Sequence, residues 1–327
     1  MFEDGGSALA AMYDLQPLIA LVDERTLSKQ GGGIHRTKCN DKRIKHIPFI
    51  IMSDGHEGPF LAGDGSGAID HFLKRPIKIN MLLDHIARTV SHKVEKSWEK
   101  LPHAAHKTLR CMADQFDLIA KAVANNTPLD KSQITASCNP LADCVRENQH
   151  KYVLLGLRNH HNFTYVHSMR VAIFMSVFAQ AYNISKSEMT LLATGGYMHD
   201  VGKILVAQAI LNKPGKLNDN EWDEIRHHVE HSIAIINSIE GVNPIIRLIA
   251  EQHHERLDGS GYPNGLNGLE INEIGRMAAI ADVFASLTDE SPYRHAFDPE
   301  TAFSIMKQMG PALDQHLLTL FQSAISD

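Results

Sequence analysis

The stretch that decides the fold is HHERLDGSGYPNGL, residues 253–266. Two adjacent histidines precede a loop that contains Gly259 and closes on the residues GYP, 261–263. Glycines at this spacing predict a tight turn with positive φ angles. A glycine-rich loop alone is common, but one that directly follows paired histidines indicates a functional loop.

Histidine and aspartate recur on successive predicted helices on either side of this loop. The segments are YVHSMRVAIF at 165–174, GYMHDVGK at 196–203, IRHHVEHS at 225–232 and AAIADVFASLT at 278–288. A single His-Asp pair carries little information, since about one is expected by chance in a chain of this composition. Seven ionisable groups from five segments are hard to explain as separate accidents, and we group them as candidate ligands: His167, His199, Asp200, His228, His253, His254 and Asp282.

The residue types of this set indicate a metal site that acts on phosphate. The segments around His167 and Asp282 are apolar enough to be buried, where such side chains must be paired or metal-bound. Imidazole and carboxylate without thiolate suit iron, manganese or zinc, and a bridging carboxylate such as Asp200 lets two ions lie about 3.5–4 Å apart. Such a pair predicts in-line attack of a metal-activated hydroxide on a phosphate ester. Lys203, one turn beyond His199, can neutralise a phosphate oxygen, so Asp200 and Lys203 are the predicted catalytic residues.

These segments, in this order, resemble the HD-GYP family, the bacterial phosphodiesterases that open cyclic di-GMP, within the HD metal-dependent phosphohydrolase superfamily. The resemblance covers about residues 110–322 and includes HDVGK, ILNKPGKL, HHERLDGSGYPNGL, ADVFASLT and PYR. It implies one metal held by His167, His199, Asp200 and Asp282, and a second held by Asp200, His228, His253 and His254. It implies substrate contacts from Lys203, Arg294, Gly261, Tyr262 and Pro263. The histidines beside motif positions, expected to be exposed on helices, are His160, His161, His227 and His231.

The resemblance also implies the reaction and its cofactors. The expected reaction converts cyclic di-GMP to linear pGpG, and both a stop at this product and further hydrolysis to GMP stay open. It needs two divalent ions, iron or manganese first, with zinc, nickel and magnesium as alternatives. Some family members hold a third ion through a glutamate one turn before the first histidine, and here that position is Phe163. A phenyl ring cannot ligate, so we expect two ions. The expected partners are a cyclic dinucleotide and diguanylate cyclase-type proteins that bind the GYP loop.

The chain departs from the family pattern mainly on the substrate side. Val229 replaces a proline, and Ala285, Ser291 and His295 replace an Asp, an Arg and a Lys. These changes spare the predicted ligands but remove charged contacts that recognise phosphate and guanine. Two alternatives therefore stay open: the same hydrolysis of cyclic GMP-AMP, and a non-catalytic module that binds a cyclic dinucleotide or a signalling partner.

The N-terminal part contains three short apolar runs that each end at a polar residue. They are Pro17–Val22 before Asp23, Ile47–Met52 before Ser53 and Ile69–Leu73 before Lys74. This pattern is typical of parallel strands with functional carboxyl ends. The amphipathic stretch 79–90 predicts a helix on that sheet.

This part resembles the receiver domain of two-component response regulators. Asp23 stands at the phosphoacceptor position, Ser53 at the hydroxyl position, and Arg75 where that family keeps a lysine. The first strand, the first helix, nearly all of the second strand and the acidic pair that holds Mg²⁺ have no counterpart here. We therefore expect that phosphorylation at Asp23 does not switch the protein and that the segment serves in packing or dimerisation.

A helical pattern runs from Ser91 to about Asn126, and Pro128 and Pro140 are expected to interrupt the chain after it. Its apolar stripe has 3-4 spacing, which fits either a dimer seam or packing on its own domain. The stripe consists of Leu109, Met112, Phe116, Ile119 and Val123.

Composition sets the remaining expectations. With 327 residues, 43% apolar and 21% charged, the chain is globular and long enough for two domains. A net charge of −6 gives no indication of a nucleic-acid or anionic membrane partner. No apolar run approaches the ~20 residues of a membrane span. We expect a cytoplasmic, mainly α protein: a partial receiver-like α/β domain with a short parallel sheet at 1–90, a helical connector at 91–109 and an all-helical HD-GYP domain at 110–327.

Overall fold

The computed structural model describes residues 4–25, 33–54, 71–158, 160, 162–211, 213, 215–290 and 295–326. The chain divides into two units, Met1–Lys96 with Asn159–His161, and Ser97–Arg158 with Asn162–Asp327. The predicted fold class, mainly helical with a short parallel sheet, is confirmed. The domain limits expected from the sequence remain a prediction.

The N-terminal unit is built on three parallel strands. They are β1 (Ala20–Asp23), β2 (Phe49–Ser53) and β3 (His71–Lys74), in the order β1-β2-β3. Its helices are α1 (Gly5–Leu15), α2 (Gly33–Asn40) and α3 (Ile79–Ser97). Ile44, Ile47 and Phe49 have no exposed surface, so the core lies against the central strand β2.

The C-terminal unit is helical. Its α-helices are α4 (His103–Ala124), α5 (Lys131–Arg146), α6 (His150–Leu157), α7 (Phe163–Ala181), α8 (Lys186–Met198), α9 (Gln208–Leu211), α10 (Asp219–Arg226), α11 (His228–Asn237), α12 (Pro244–Gln252), α13 (Glu273–Thr288), α14 (Pro299–Gln308) and α15 (Gln315–Ser326). Short 3₁₀ turns occupy Trp98–Lys100, Val201–Leu205, Gly268–Glu270 and Gly310–Ala312. None of the helices in the described part of the chain is long and apolar enough to cross a membrane.

Helix α7 is the centre of this unit. From Ser168 to Ala179 every residue except Arg170 is buried, as expected of a helix that is apolar on all sides. Gly196 of α8 faces the backbone of Ala172, where an added Cβ would lie 3.0 Å from its Cα. This close approach fixes the position of the end of α8, where the central candidate ligands begin.

The helix expected over 91–126 is two helices. Pro102 lies between α3 and α4, directly before the first residue of α4. It interrupts the helix because proline is tolerated at a helix start but disfavours helical geometry in the residue before it. Pro140, expected to interrupt the chain, instead lies inside α5. The burial of Cys138, Leu141 and Val145 along that helix outweighs the hydrogen bond that the proline removes.

The apolar stripe of α4 packs within its own unit. Leu109, Met112 and Ile119 are at most 1% exposed. Phe116 makes edge contacts with the rings of Tyr165 and Tyr197. The stripe is therefore core, and its alternative interpretation as a dimer seam is wrong.

Candidate metal centre

Five of the seven candidate ligands lie at or near helix ends of the C-terminal unit, and the side chains of all seven come together. His199 caps the end of α8 and Asp200 follows it, while His228 begins α11. His253 caps the end of α12, with His254 next in the chain. The two remaining ligands lie within helices, His167 in α7 and Asp282 in α13.

The ligand atoms form two groups, and the atoms within each lie within 4.8 Å of one another. The His228 group consists of Asp200, His228, His253 and His254. The His167 group consists of His167, His199 and Asp282. All seven side chains are buried or nearly so.

Asp200 connects the two groups, because each of its oxygens faces one of them. Oδ1 lies 3.0 Å from Nε2 of His228 and 3.7 Å from Nε2 of His253. Oδ2 lies 3.2 Å from Nε2 of His199 and 3.4 Å from Nε2 of His167. The carboxylate has no exposed surface, and oxygens that face opposite groups are the arrangement that a bridging ligand between two cations would need.

Three of the histidines are held in the metal-binding tautomer by the backbone. In His199, His228 and His253, Nδ1 lies 2.7, 2.5 and 2.9 Å from the carbonyl oxygen three residues earlier. A carbonyl oxygen only accepts, so Nδ1 carries the proton and donates. The lone pair of Nε2 is then directed into the cluster.

Two atoms at the centre of the cluster show that it fits a cation. Nε2 of His199 and Oδ1 of Asp200 are buried and make no hydrogen bond within the described residues. Buried polar atoms are normally paired, so both need a partner that the protein does not supply. A divalent ion satisfies a lone pair of each, and the imidazole and carboxylate donors suit iron, manganese or zinc.

The carboxylates are ionised despite their burial. Burial opposes ionisation of Asp200, but His199 and Lys203 beside it hold its pKa well below the usual range. Burial also opposes ionisation of Asp282, but the hydrogen bond and the charge of His167 hold the pKa of this carboxyl well below its usual range. Both carboxylates are therefore in the metal-binding form at neutral pH.

The candidate-ligand histidines differ in the direction in which the site shifts their pKa. Burial lowers the pKa of His253 and His254 well below the usual value, so both rings are neutral at pH 7. Burial also opposes the charge of His167, but its hydrogen bond to Asp282 and the nearby carboxylate of Asp289 outweigh this effect and raise the pKa of His167 to about 9. An ion that binds to His167 must therefore displace a proton.

Lys203 reaches the cluster through the 3₁₀ turn that follows Asp200. Its Nζ lies 2.5 Å from Oδ2 of Asp200, and its side chain is 22% exposed. Gly202 makes this turn possible, because a Cβ there would lie 2.1 Å from the carbonyl oxygen of His228. Lys203 is thus a cation at the accessible side of the ligand cluster.

The GYP loop covers His254. The ring of Tyr262 lies 4.6 Å from that of His254. Gly259 has the expected positive φ, at 78°. Gly261 is required for a different reason, because a Cβ there would lie 2.4 Å from the nitrogen of Arg256.

The last predicted phosphate contact, Arg294, and the histidines beside the motif positions remain to be located. Arg294, predicted to contact phosphate, lies outside the described residues, as does His161. His227 is exposed on its helix end as expected. His160 is not: it is 8% exposed and outside any helix, with Nε2 3.4 Å from Glu95.

Sequence reasoning missed three residues that contact the site. Glu255 is 1% exposed and accepts hydrogen bonds from the backbone of the GYP loop. Asp289 and Arg170 form an ion pair next to His167. Asp289 follows Asp282 by seven residues and Arg170 follows His167 by three, so helical spacing places each of them near a candidate ligand but does not by itself indicate their pairing.

Comparison with known proteins identifies the C-terminal part of the chain. A family model described as HD domain matches residues 154–317. A 3'3'-cGAMP-specific phosphodiesterase of Vibrio cholerae is 36% identical over 165 residues, which are 50% of this chain and 36% of that protein. A cyclic di-GMP phosphodiesterase of Pseudomonas aeruginosa is 30% identical over 232 residues, 69% of this chain and 55% of that protein. The chain therefore matches well under two thirds of the length of these curated relatives.

A solved structure supports the fold. A protein from Bdellovibrio bacteriovorus, described as an HDG"Y"P protein, has a TM-score of 0.55 at 12% identity. The match covers 76% of this chain and 82% of that one. The family model does not reach residues 1–96, so the receiver-like character of this part remains a prediction. Because the matched segment spans half of the chain and contains all seven candidate ligands, the chain belongs to the HD domain family.

Proposed function

We propose that this protein is a metal-dependent phosphodiesterase that hydrolyses a cyclic dinucleotide, with cyclic di-GMP as the first candidate substrate. The observation that carries the proposal is the placement of Asp200, whose two oxygens face two separate ligand groups. Two divalent ions, iron or manganese first, would supply Lewis acidity and a water of lowered pKa.

Residues of the protein itself support the binding of both the ions and the substrate. His253 and His254 stay neutral, so they can bind an ion at physiological pH. Lys203 is partly exposed and can pair with a substrate phosphate oxygen. Tyr262 presents a ring beside His254, where a purine or ribose can pack.

Cyclic GMP-AMP is the second candidate substrate, because a relative at 36% identity is named a 3'3'-cGAMP-specific phosphodiesterase. The replacement of charged residues by Ala285, Ser291 and His295 gives the chain fewer charged contacts for phosphate and guanine. We also propose a phosphate contact from Arg294, partner binding at the GYP loop, a homodimer and a cytoplasmic location.

The test combines metal analysis with a hydrolysis assay. The purified protein is loaded with Mn²⁺ or Fe²⁺ and incubated with cyclic di-GMP, 3'3'-cGAMP and cyclic di-AMP, and the products are separated by chromatography. We expect a linear dinucleotide from one of the first two. Asp200→Asn should lose metal and turnover together, because an amide cannot bridge two cations.

Asp130→Asn is the matched control, since Asp130 caps α5 far along the chain from the ligands and asparagine caps a helix equally well. It should keep both properties. A metal-loaded protein that binds a cyclic dinucleotide and cleaves none of the three would instead support the non-catalytic binding module.

A further inference from the structure

His167 differs from His199, His228 and His253 in what its Nδ1 faces, whereas Nδ1 of His254 lies 3.4 Å from a carboxylate of the ligand cluster itself, Oδ2 of Asp282. In His199, His228 and His253 this nitrogen donates to a backbone carbonyl. In His167 it lies 3.5 Å from Oδ2 of Asp289, while Nε2 lies 3.0 Å from Oδ1 of Asp282. The ring of His167 therefore stands between two carboxylates, one on the metal side and one behind it.

Asp289 is itself held in place by Arg170. Nε of Arg170 lies 2.6 Å from Oδ1 of Asp289, and both side chains are only 15% exposed. The guanidinium also donates to Oγ1 of Thr288, at 2.5 Å. Arg170 lies one turn after His167 on α7, and Asp289 directly follows α13, so the two helices that carry His167 and Asp282 are also joined behind the cluster.

One oxygen of Asp289 is available to His167. Oδ2 is buried and makes no hydrogen bond with any described residue, although Nδ1 of His167 lies at the outer limit of hydrogen-bond distance. A histidine that ligates through one nitrogen donates its other N–H to an acceptor, which orients the ring and raises its basicity. A carboxylate makes a stronger, charge-assisted bond than the backbone carbonyls that serve the other three rings.

We propose that Asp289 is the positioning residue of His167, and that through this ring it sets the affinity of the His167 group for its ion. The inference rests on the proposed metal-dependent function. Asp289 does not touch substrate or ion itself, and Arg170 serves by orienting it.

The competing explanation is that Asp289 only neutralises a buried arginine. Loss of one member of a buried ion pair is destabilising by itself, so a stability defect alone does not distinguish the two roles. The affinity for a metal ion does distinguish the two roles, because it depends on the orientation of the His167 ring whether or not Arg170 keeps its ion pair.

The experiment titrates metal-free protein with Mn²⁺ by calorimetry and compares four variants, each checked for thermal unfolding. Asp289→Ala should weaken one of two sites by about 10–100-fold and leave the other unchanged. Asp289→Asn keeps an acceptor oxygen and should lose less. Glu290→Gln, at the next position, alters a side chain that is 66% exposed and should change neither site.

The double variant Arg170→Gln with Asp289→Ala removes both buried charges. It should recover thermal stability relative to Asp289→Ala but keep the weakened site. Full recovery of Mn²⁺ affinity in the double variant, or wild-type affinity in Asp289→Ala, would overturn the positioning role alone. Wild-type protein that binds no Mn²⁺, Fe²⁺ or Zn²⁺ would overturn the proposed function, and this inference with it.

Discussion

Lys203 is the residue whose substitution should best distinguish an effect on metal binding from an effect on turnover. The seven candidate ligands are enclosed, whereas Lys203 contacts Asp200 with one end of its side chain and remains 22% exposed. It is not a ligand, because its ammonium group has no lone pair. Its place beside the bridging carboxylate suits it to stabilise negative charge that develops on a phosphate.

Lys203→Met should therefore keep both metals and lose activity. Removal of one such electrostatic contact typically lowers kcat by about 10²–10³. Metal content by mass spectrometry and kcat with the preferred dinucleotide check this result. If metal content fell together with kcat, Lys203 would act on the site through Asp200 rather than on the substrate.

The number of ions is a second question at the scale of single residues. Phe163 begins α7, four residues before His167, at the position where some relatives of the HD-GYP type are expected to carry a glutamate. It offers no ligand atom, and the two ligand groups account for all seven donors. We expect metal content to saturate at two ions per chain, measured by mass spectrometry and by anomalous scattering from crystals. Three fully occupied positions within the cluster would contradict this expectation.

At the scale of elements, the loop after α12 is held by one buried carboxylate. Oε1 of Glu255 accepts from the backbone N–H of Asn264 at 2.8 Å, and Oε2 accepts from that of Leu266 at 2.9 Å. Glu255 is 1% exposed, so water cannot replace either bond. The carboxylate thus ties the far side of the GYP loop to the segment that carries His254.

Glu255→Gln should destabilise the protein by about 1–3 kcal/mol, because the amide turns one acceptor into a donor that faces a backbone N–H. The looser loop should also raise KM, since Tyr262 lies beside His254. Glu251→Gln is the control, because that side chain is 33% exposed and its ion pair with Arg247 is long, at 3.7 Å. Urea unfolding and steady-state kinetics measure both effects. Equal unfolding midpoints for the two variants would show that the loop does not depend on Glu255.

The sequence predicted elements better than it predicted contacts. Continuous apolar runs locate β2 and α7, and ligand residues are visible because their chemistry is unusual in apolar segments. Pro140 was misjudged because burial along α5 is a tertiary effect that a local signal does not contain. Asp289 was missed for the same reason: its importance comes from Arg170 and His167, which lie more than a hundred residues before it in the chain.

At the scale of the whole molecule, the open question is whether the N-terminal unit switches the C-terminal one. Asp23 ends β1, and its side chain contacts Arg75, which directly follows β3. Oδ2 of Asp23 lies 2.6 Å from a guanidinium nitrogen of Arg75, which also pairs with Asp54 at 3.2 Å. Arg25 contacts the other side of Asp54, so two arginines and two aspartates form one network at this edge.

This network leads us to expect that Asp23 does not act as a phosphoacceptor. Burial opposes ionisation of Asp23, but the hydrogen bond from Arg75 lowers its pKa, so the carboxylate is charged yet already engaged. Arg75 is larger than the lysine of the receiver family and holds the carboxylate with a planar, always charged group. Treatment with acetyl phosphate should therefore leave Asp23 unlabelled and the hydrolysis rate unchanged, measured by intact mass and by product chromatography. Asp23→Asn should turn over substrate like the wild type. Stoichiometric labelling that Asp23→Asn abolishes, with a changed rate in the labelled protein, would show that the N-terminal unit regulates the metal centre after all.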